Sequence, residues 1–170
     1  GSLYEGGTRV VALANWPGHI RAGSTVDMMI HVVDMYPTLA RVAGASTART
    51  KPLDGLDVWP TISEGKASPR TEIVYNVEAL RAGIRQGDWK LIWRAPLPEG
   101  IELYDLAKDP YEKNNVAAQH PEVVARLRQR ANELAATQQK SLLMQTEFDA
   151  LRQRLKLPPA LPGEELVLTE

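Results

Sequence analysis

The chain has 170 residues, of which 44% are hydrophobic and 24% are charged, and these proportions are ordinary for a globular protein. Twenty Lys and Arg residues against 21 Asp and Glu residues give a net charge of -1 at pH 7, which argues against nucleic-acid binding. No apolar run approaches the roughly 20 residues of a membrane span. Without cysteine, disulfides, thiolate nucleophiles and Cys-ligated zinc are excluded, but the compartment stays open.

The first part of the chain predicts one buried strand and one helix. Residues 9–14 read Arg-Val-Val-Ala-Leu-Ala, a short apolar run of the kind buried on both faces of a sheet. Asp34 is predicted to cap a helix that carries apolar residues at helical spacing and stops at Gly44. Residues 45–71 read as a long connection with one helical turn near 58–63, lying across the surface of something larger.

From residue 72 the apolar pattern changes to period two, which is typical of antiparallel strands. Strands are predicted at 72–77, 80–84, 89–93 and 102–106, and Gln86-Gly87-Asp88 reads as a hairpin turn. Trp89, Leu91 and Trp93 alternate on one face, so the two tryptophans are predicted to pack in the core rather than to form a binding platform.

A long helix is predicted to cover this sheet. It begins near Pro121, a favoured first helical residue. Its apolar stripe consists of Val124, Leu127, Ala131 and Leu134. A second stripe follows after a polar stretch, and its members are Met144, Phe148, Leu151 and Leu155. No other segment is obviously left to cover this second stripe, so we expect self-association through it or through residues 9–14. The alternative is that this helix folds back on its own sheet and covers the stripe.

Several short motifs, taken together, resemble the sulfatase family. They are Tyr4-Glu5-Gly6-Gly7, Trp16-Pro17-Gly18-His19-Ile20, His31-Val32-Val33-Asp34-Met35-Tyr36-Pro37, Leu53-Asp54-Gly55-Leu56-Asp57, Gly87-Asp88-Trp89-Lys90-Leu91 and Leu103-Tyr104-Asp105-Leu106. Each motif is weak alone, but their order and spacing resemble the C-terminal third of an arylsulfatase-like enzyme from residue 3 to about 135.

The resemblance implies hydrolysis of sulfate esters by a formylglycine made from a C/S-x-P-x-R motif, with calcium holding the sulfate oxygens. The sequence has no cysteine, and Ser68-Pro69-Arg70 has the wrong spacing for that motif. The family's active-site lysine usually stands five residues before the Glu of Glu-Gly-Gly, and this position falls just before Gly1. We therefore expect no catalytic residue, metal ligand or cofactor site in this chain; calcium and formylglycine belong to the complete enzyme.

Two residues are candidates for the substrate side of the complete enzyme. Glu5 lies in the Glu-Gly-Gly motif, although glycines that let the backbone turn beside an active site explain that motif equally well. His31 precedes a helix and could face the cleft, with a structural hydrogen bond as the favoured alternative. The three histidines are too scattered to predict a zinc site.

These observations predict an α+β chain in three parts. Residues 1–71 would be the end of a sulfatase α/β domain, with an edge strand and a helix, and its connecting segment. Residues 72–135 would form a small antiparallel sheet of three to four strands with its covering helix, and residues 136–170 a helical extension and acidic tail. The function expected is that of a sulfatase C-terminal region, inactive alone, whose partner is the N-terminal sulfatase domain; the alternative is a stand-alone interaction or oligomerisation module.

Overall fold

The computed structural model describes residues 2–78, 81–94, 100–137 and 153–154. Their helices are α1 (Glu5–Thr8), α2 (Met35–Val42), α3 (Trp59–Glu64) and α4 (Pro121–Thr137), with 3₁₀ turns at Val32–Asp34 and Ala117–Gln119. The strands are β1 (Glu72–Glu78), β2 (Arg81–Gln86), β3 (Trp89–Arg94) and β4 (Gly100–Asp105). This content confirms the predicted α+β class. Residues 1–135 form one unit and residues 136–170 a second.

The four strands form an antiparallel sheet in the order β1-β2-β3-β4. Gly87, with a φ of 55°, makes the tight turn between β2 and β3. Ile84 pairs with Leu91, which in turn pairs with Leu103. These three side chains are at most 1% exposed and form a continuous apolar row across the sheet. The predicted strands and hairpin are therefore confirmed.

Helix α4 covers the face of the sheet that carries this row. Leu127 is fully buried, and Ala131 is 6% exposed in the same core cluster. Trp89, Trp93, Val124 and Leu134 pack around the cluster and are partly buried. The predicted start at Pro121 and the predicted apolar stripe are confirmed, and the tryptophans belong to the packed face as expected.

The opposite face of the sheet is also covered, which the period-two pattern did not predict. Ile92, Tyr104 and Leu106 are buried there, and Leu3 and Tyr4 from the start of the chain pack against them. Leu3 lies over Gly83, and a Cβ at this position would stand in ordinary contact with a methyl carbon of Leu3, at 3.4 Å. The N-terminal segment and the sheet therefore share one apolar layer.

Residues 9–14 form neither a helix nor a strand with any part of the chain that the structure describes. Val10, Val11 and Leu13 are 83%, 88% and 94% exposed. A lone extended segment cannot satisfy its own N–H and C=O groups, so it becomes a strand only when a sheet edge lies beside it.

The predicted helix after residue 34 is confirmed as α2, and the helical turn near 58–63 is confirmed as α3. The capping role expected for Asp34 is wrong. A 3₁₀ turn precedes α2, and the Asp34 carboxylate reaches back to the N–H of His31 instead of capping α2. Gly55 lies against this turn: a Cβ there would lie 2.1 Å from the carbonyl oxygen of Val33, so glycine permits the close approach.

Two further sequence predictions concern the second apolar stripe and the lack of a membrane span. The stripe of Met144, Phe148, Leu151 and Leu155 lies outside the described residues. Within the described residues, no helix has both the length and the apolar character that a membrane crossing requires.

Candidate functional site

A buried charge cluster lies where the N-terminal segment meets the sheet, and its centre is Lys90 of β3. The Lys90 side chain is 0% exposed. Its Nζ donates to Oε1 of Glu5 at 2.8 Å and lies 2.9 Å from Oε1 of Glu112. The same nitrogen stands 4.3 Å from the centre of the Tyr75 ring. One ammonium group therefore lies between two carboxylates that are 107 positions apart in the sequence.

The environment of Glu5 keeps it ionised. Burial alone would raise the pKa of Glu5, but the hydrogen bond and charge of Lys90 outweigh burial and hold that pKa below its usual value. The Tyr75 hydroxyl also donates to Oε1 of Glu5, at 3.1 Å. Burial and the neighbouring Glu5 charge raise the pKa of Tyr75, so its hydroxyl stays a donor at neutral pH.

Glu112 reaches the cluster from a tight turn after β4. Its φ of 53° lies in the left-handed region, which a residue with a side chain adopts only when its surroundings hold it there. The Asp109 carboxylate fixes this turn by accepting the N–H groups of Lys113 and Asn114 at 2.9 and 2.8 Å. Oε2 of Glu112 then accepts the backbone N–H of Glu5 at 2.5 Å, at the start of α1.

A second ionic cluster joins Asp34 to Arg70. The Asp34 side chain is 0% exposed and forms two charge-assisted hydrogen bonds with Arg70, one of them from Nε at 2.8 Å. It also accepts the N–H groups of His31 and Leu56, each at 2.8 Å. Burial would raise the pKa of Asp34, but the Arg70 guanidinium and these two N–H groups hold it below its usual value.

The structure places the two substrate-side candidates, Glu5 and His31, in different clusters. Glu5 is 9% exposed and bound to Lys90. Nδ1 of His31 accepts the N–H of Val33 at 3.2 Å. A substrate role for either residue stays a prediction, because no substrate contact is present to test it.

Sequence reasoning quoted Lys90 in a motif but gave it no role, and it did not single out Tyr75 or Glu112. The signal was faint: Lys90 is a charged residue in mid-strand, between Trp89 and Leu91. Alternation places such a residue on the face of the sheet opposite the core, and that face is usually exposed to solvent. Here residues 3–5 cover that face, and their contacts with β3 span more than 80 positions of sequence.

A groove of about 760 Å³ opens beside the Lys90 cluster. Its lining combines Glu5 and Glu112 with exposed apolar groups from Val10, Val11 and Tyr111. The carboxylates do not fit a calcium site, because Lys90 already stands between them. Among the residues that the structure describes, no group of three or more His, Asp or Glu side chains could hold a metal ion.

A family model for N-sulphoglucosamine sulphohydrolase, C-terminal, matches residues 2–139 of the chain. The chain belongs to this sulfatase family. The resemblance seen in the sequence motifs is therefore confirmed, and both ionic clusters lie inside the matched range.

Curated relatives agree with this assignment. This sulfatase region is 35% identical to human arylsulfatase A over 158 residues, with 76% of the chain and 31% of the relative covered. It is 27% identical to mouse arylsulfatase J, with 81% and 31% covered. It is 30% identical to N-acetylgalactosamine-6-O-sulfatase from Bacteroides thetaiotaomicron, with 74% and 27% covered. The chain thus spans 27–31% of the length of these three relatives.

Solved structures share the fold of this region. A protein in complex with its substrate D-glucosamine-2-N,6-O-disulfate matches with a TM-score of 0.55 and 27% identity, over 70% of this chain and 26% of the other. The structure of Ps i-CgsB matches with a TM-score of 0.59 over 70% of this chain and 27% of the other, and its 23% identity supports the fold alone.

Proposed function

We propose that this chain completes a sulfatase whose whole form hydrolyses sulfate esters, and that the chain has no such activity alone. The observation that carries the proposal is the paired state of its buried acids. Glu5 and Glu112 are held by Lys90, and Asp34 is held by Arg70. Each carboxylate is thereby engaged in holding the fold, whereas a general base must be within reach of the proton it abstracts.

The sequence supports the same proposal. Sulfate-ester hydrolysis in this family relies on formylglycine, and the chain has neither a cysteine nor a C/S-x-P-x-R motif. When calcium is bound in a complete sulfatase, it supplies charge stabilisation for the sulfate oxygens. The described residues do not form a site that would hold that ion, so the contribution proposed for this chain is structural.

An activity assay tests the proposal directly. We expect the purified chain, incubated with calcium and either a chromogenic aryl sulfate or N-acetylgalactosamine 6-sulfate, to release no more sulfate than a buffer blank. Human arylsulfatase A in the same buffer serves as the positive control. Turnover by the chain that EDTA abolishes would overturn the proposal.

We further propose that residues 9–14 dock on a sheet edge of the α/β domain of the same sulfatase. Along this part of the described chain, the Arg9 N–H donates to the Glu5 carbonyl, and the next backbone N–H that donates to another backbone group is that of His19. The apolar side chains between them are exposed to solvent, and that of Leu13 is 94% exposed. An exposed segment with apolar side chains and no backbone partners among the described residues can pair with the edge of a sheet. The two thirds of each relative that the chain does not match can supply that edge.

A chimera separates this occupant from a second copy of the chain. We expect the amides of residues 10–14 to exchange freely with solvent in the isolated chain. They should become protected when the chain replaces the matched region of human arylsulfatase A. A Val11→Glu, Leu13→Glu double variant should lose that protection, whereas Arg49→Glu, an exposed change elsewhere, should keep it.

Light scattering on the isolated chain provides the contrary outcome. A mass that stays near 18.8 kDa at all concentrations supports docking on the α/β domain. A dimer in which residues 10–14 are protected would make a second copy the occupant and would support the interaction-module alternative.

A further inference from the structure

We infer that Lys90 is a positioning residue that fixes the α1 turn (Glu5–Thr8) in one register on the sheet. The inference rests on the proposed function for its purpose, since the turn leads directly into residues 9–14. Its physical basis is independent of that function, because it stands on contacts within this chain.

The first step is that apolar packing alone does not select a register for the turn. Leu3 and Tyr4 lie on the apolar layer formed by Ile92, Tyr104 and Leu106. Such contacts are non-directional and depend on area rather than on exact alignment. Tyr4, the residue before the turn, adds an edge-on contact with the Tyr104 ring, at 6.4 Å between ring centres, and its hydroxyl donates to Oε2 of Glu102 at 2.7 Å, but neither contact involves residues 5–8.

The second step is that the Lys90 cluster selects among the alignments that packing would allow. A buried ammonium must find carboxylates, and a shift of the turn by one residue would place Gly6 where Glu5 now stands. Lys90 also lies on the same sheet face as Ile92, so the charge and the apolar layer act on the same segment. Glu112 closes the arrangement by accepting the Glu5 N–H at 2.5 Å.

The third step concerns the loss of the Glu5 charge. When that charge is removed, Glu112 still stands 2.9 Å from the Lys90 ammonium, so the buried charge keeps one carboxylate partner and the loss falls mainly on the turn that carries Glu5. A change in Glu5 should therefore loosen the turn much more than it destabilises the sheet. That local effect distinguishes a positioning role from a general structural one.

Hydrogen exchange followed by mass spectrometry on the full chain tests the inference. The Glu5→Gln variant keeps the side-chain shape but removes the charge that Lys90 binds. We expect amide exchange in residues 5–9 to speed up by about ten-fold or more, while amides in β2 and β3 change by less than about two-fold. The matched control is Glu64→Gln, which removes a carboxylate from the exposed pair with Lys66 and should leave both regions unchanged.

A second variant keeps the inference falsifiable if one substitution unfolds the chain. Lys90→Met removes the ammonium at similar length, and Lys108→Met, at an exposed pair with Asp105, is its control. Either folded variant in which residues 5–9 exchange as slowly as in the original chain overturns the inference. So does a variant in which the turn and the sheet speed up by the same factor, or global unfolding of both variants. None of these readouts involves sulfatase activity, so they stand apart from a failure of the proposed function.

Discussion

Replacing Asp34 with asparagine is expected to lower the free energy of unfolding by about 3–5 kcal/mol. The Asp34 carboxylate is fully buried and holds four donors: two from Arg70 and the backbone N–H groups of His31 and Leu56. An asparagine carries one acceptor oxygen and no charge, so at least one of these donors would lose its partner inside the protein. Urea denaturation of the two proteins measures the difference.

The matched control is Asp57→Asn, at a second Asp–Arg pair on the same part of the chain. Its partner Arg41 is 56% exposed and Asp57 itself is 30% exposed, so solvent screens their attraction. We expect a cost of about 0–1 kcal/mol at this pair. If Asp34→Asn also costs less than about 1 kcal/mol, the Asp34–Arg70 cluster does not stabilise the fold as expected.

The sheet and its covering helix could be predicted because their signals are local and periodic. The alternation of Trp89, Leu91 and Trp93 predicted one buried face, and the spacing of Leu127 and Ala131 predicted the stripe that meets it. Both patterns depend on residues within a few positions of one another.

The Asp34 cluster could not be predicted from the sequence, because its contacts are distant along the chain. A side chain before a helix predicts an N-terminal cap, which is a local rule. Arg70 lies 36 positions away and Leu56 lies 22 positions away, and both compete for the same carboxylate. Two charge-assisted bonds from a guanidinium outweigh one capping bond to a backbone N–H, so the tertiary contacts prevailed over the local preference.

Residues 9–14 show that the composition of a segment does not by itself decide whether the segment forms a strand. The run of Val10, Val11 and Leu13 predicts a strand because its composition suits the interior of a sheet. Whether it becomes one depends on a neighbouring strand, which composition does not encode. Within the described residues it has no such neighbour, and its apolar side chains stay exposed.

Acid is expected to unfold the chain over a window set by its paired carboxylates. Besides Asp57 in its more exposed pair with Arg41, four of them share one pattern, in which burial would raise the pKa but hydrogen bonds and opposite charges hold it below the ordinary value. The four are Glu5, Asp34, Glu72 and Glu102. In the unfolded chain their pKa values return to 4.5 for glutamate and 3.8 for aspartate.

The sign of the effect follows from proton counts. Because each of these groups has a lower pKa in the folded protein, the unfolded chain binds more protons as the pH falls through this range. Stability from these pairs is therefore fully present above about pH 4.5 and is lost progressively as the pH falls through 4.5 and 3.8 toward the lower folded pKa values. Above pH 5 the same groups should contribute no pH dependence.

Urea midpoints measured at intervals between pH 7 and pH 3 check this expectation. The midpoint should stay level from pH 7 to about pH 5 and then fall steeply, with an unchanged slope of free energy against urea. In Asp34→Asn one of the four groups no longer titrates, so its midpoint should start lower and fall less steeply below pH 4.5. A midpoint that stays level down to pH 3 would mean that the ion pairs of Glu5, Asp34, Glu72 and Glu102 do not hold the folded state.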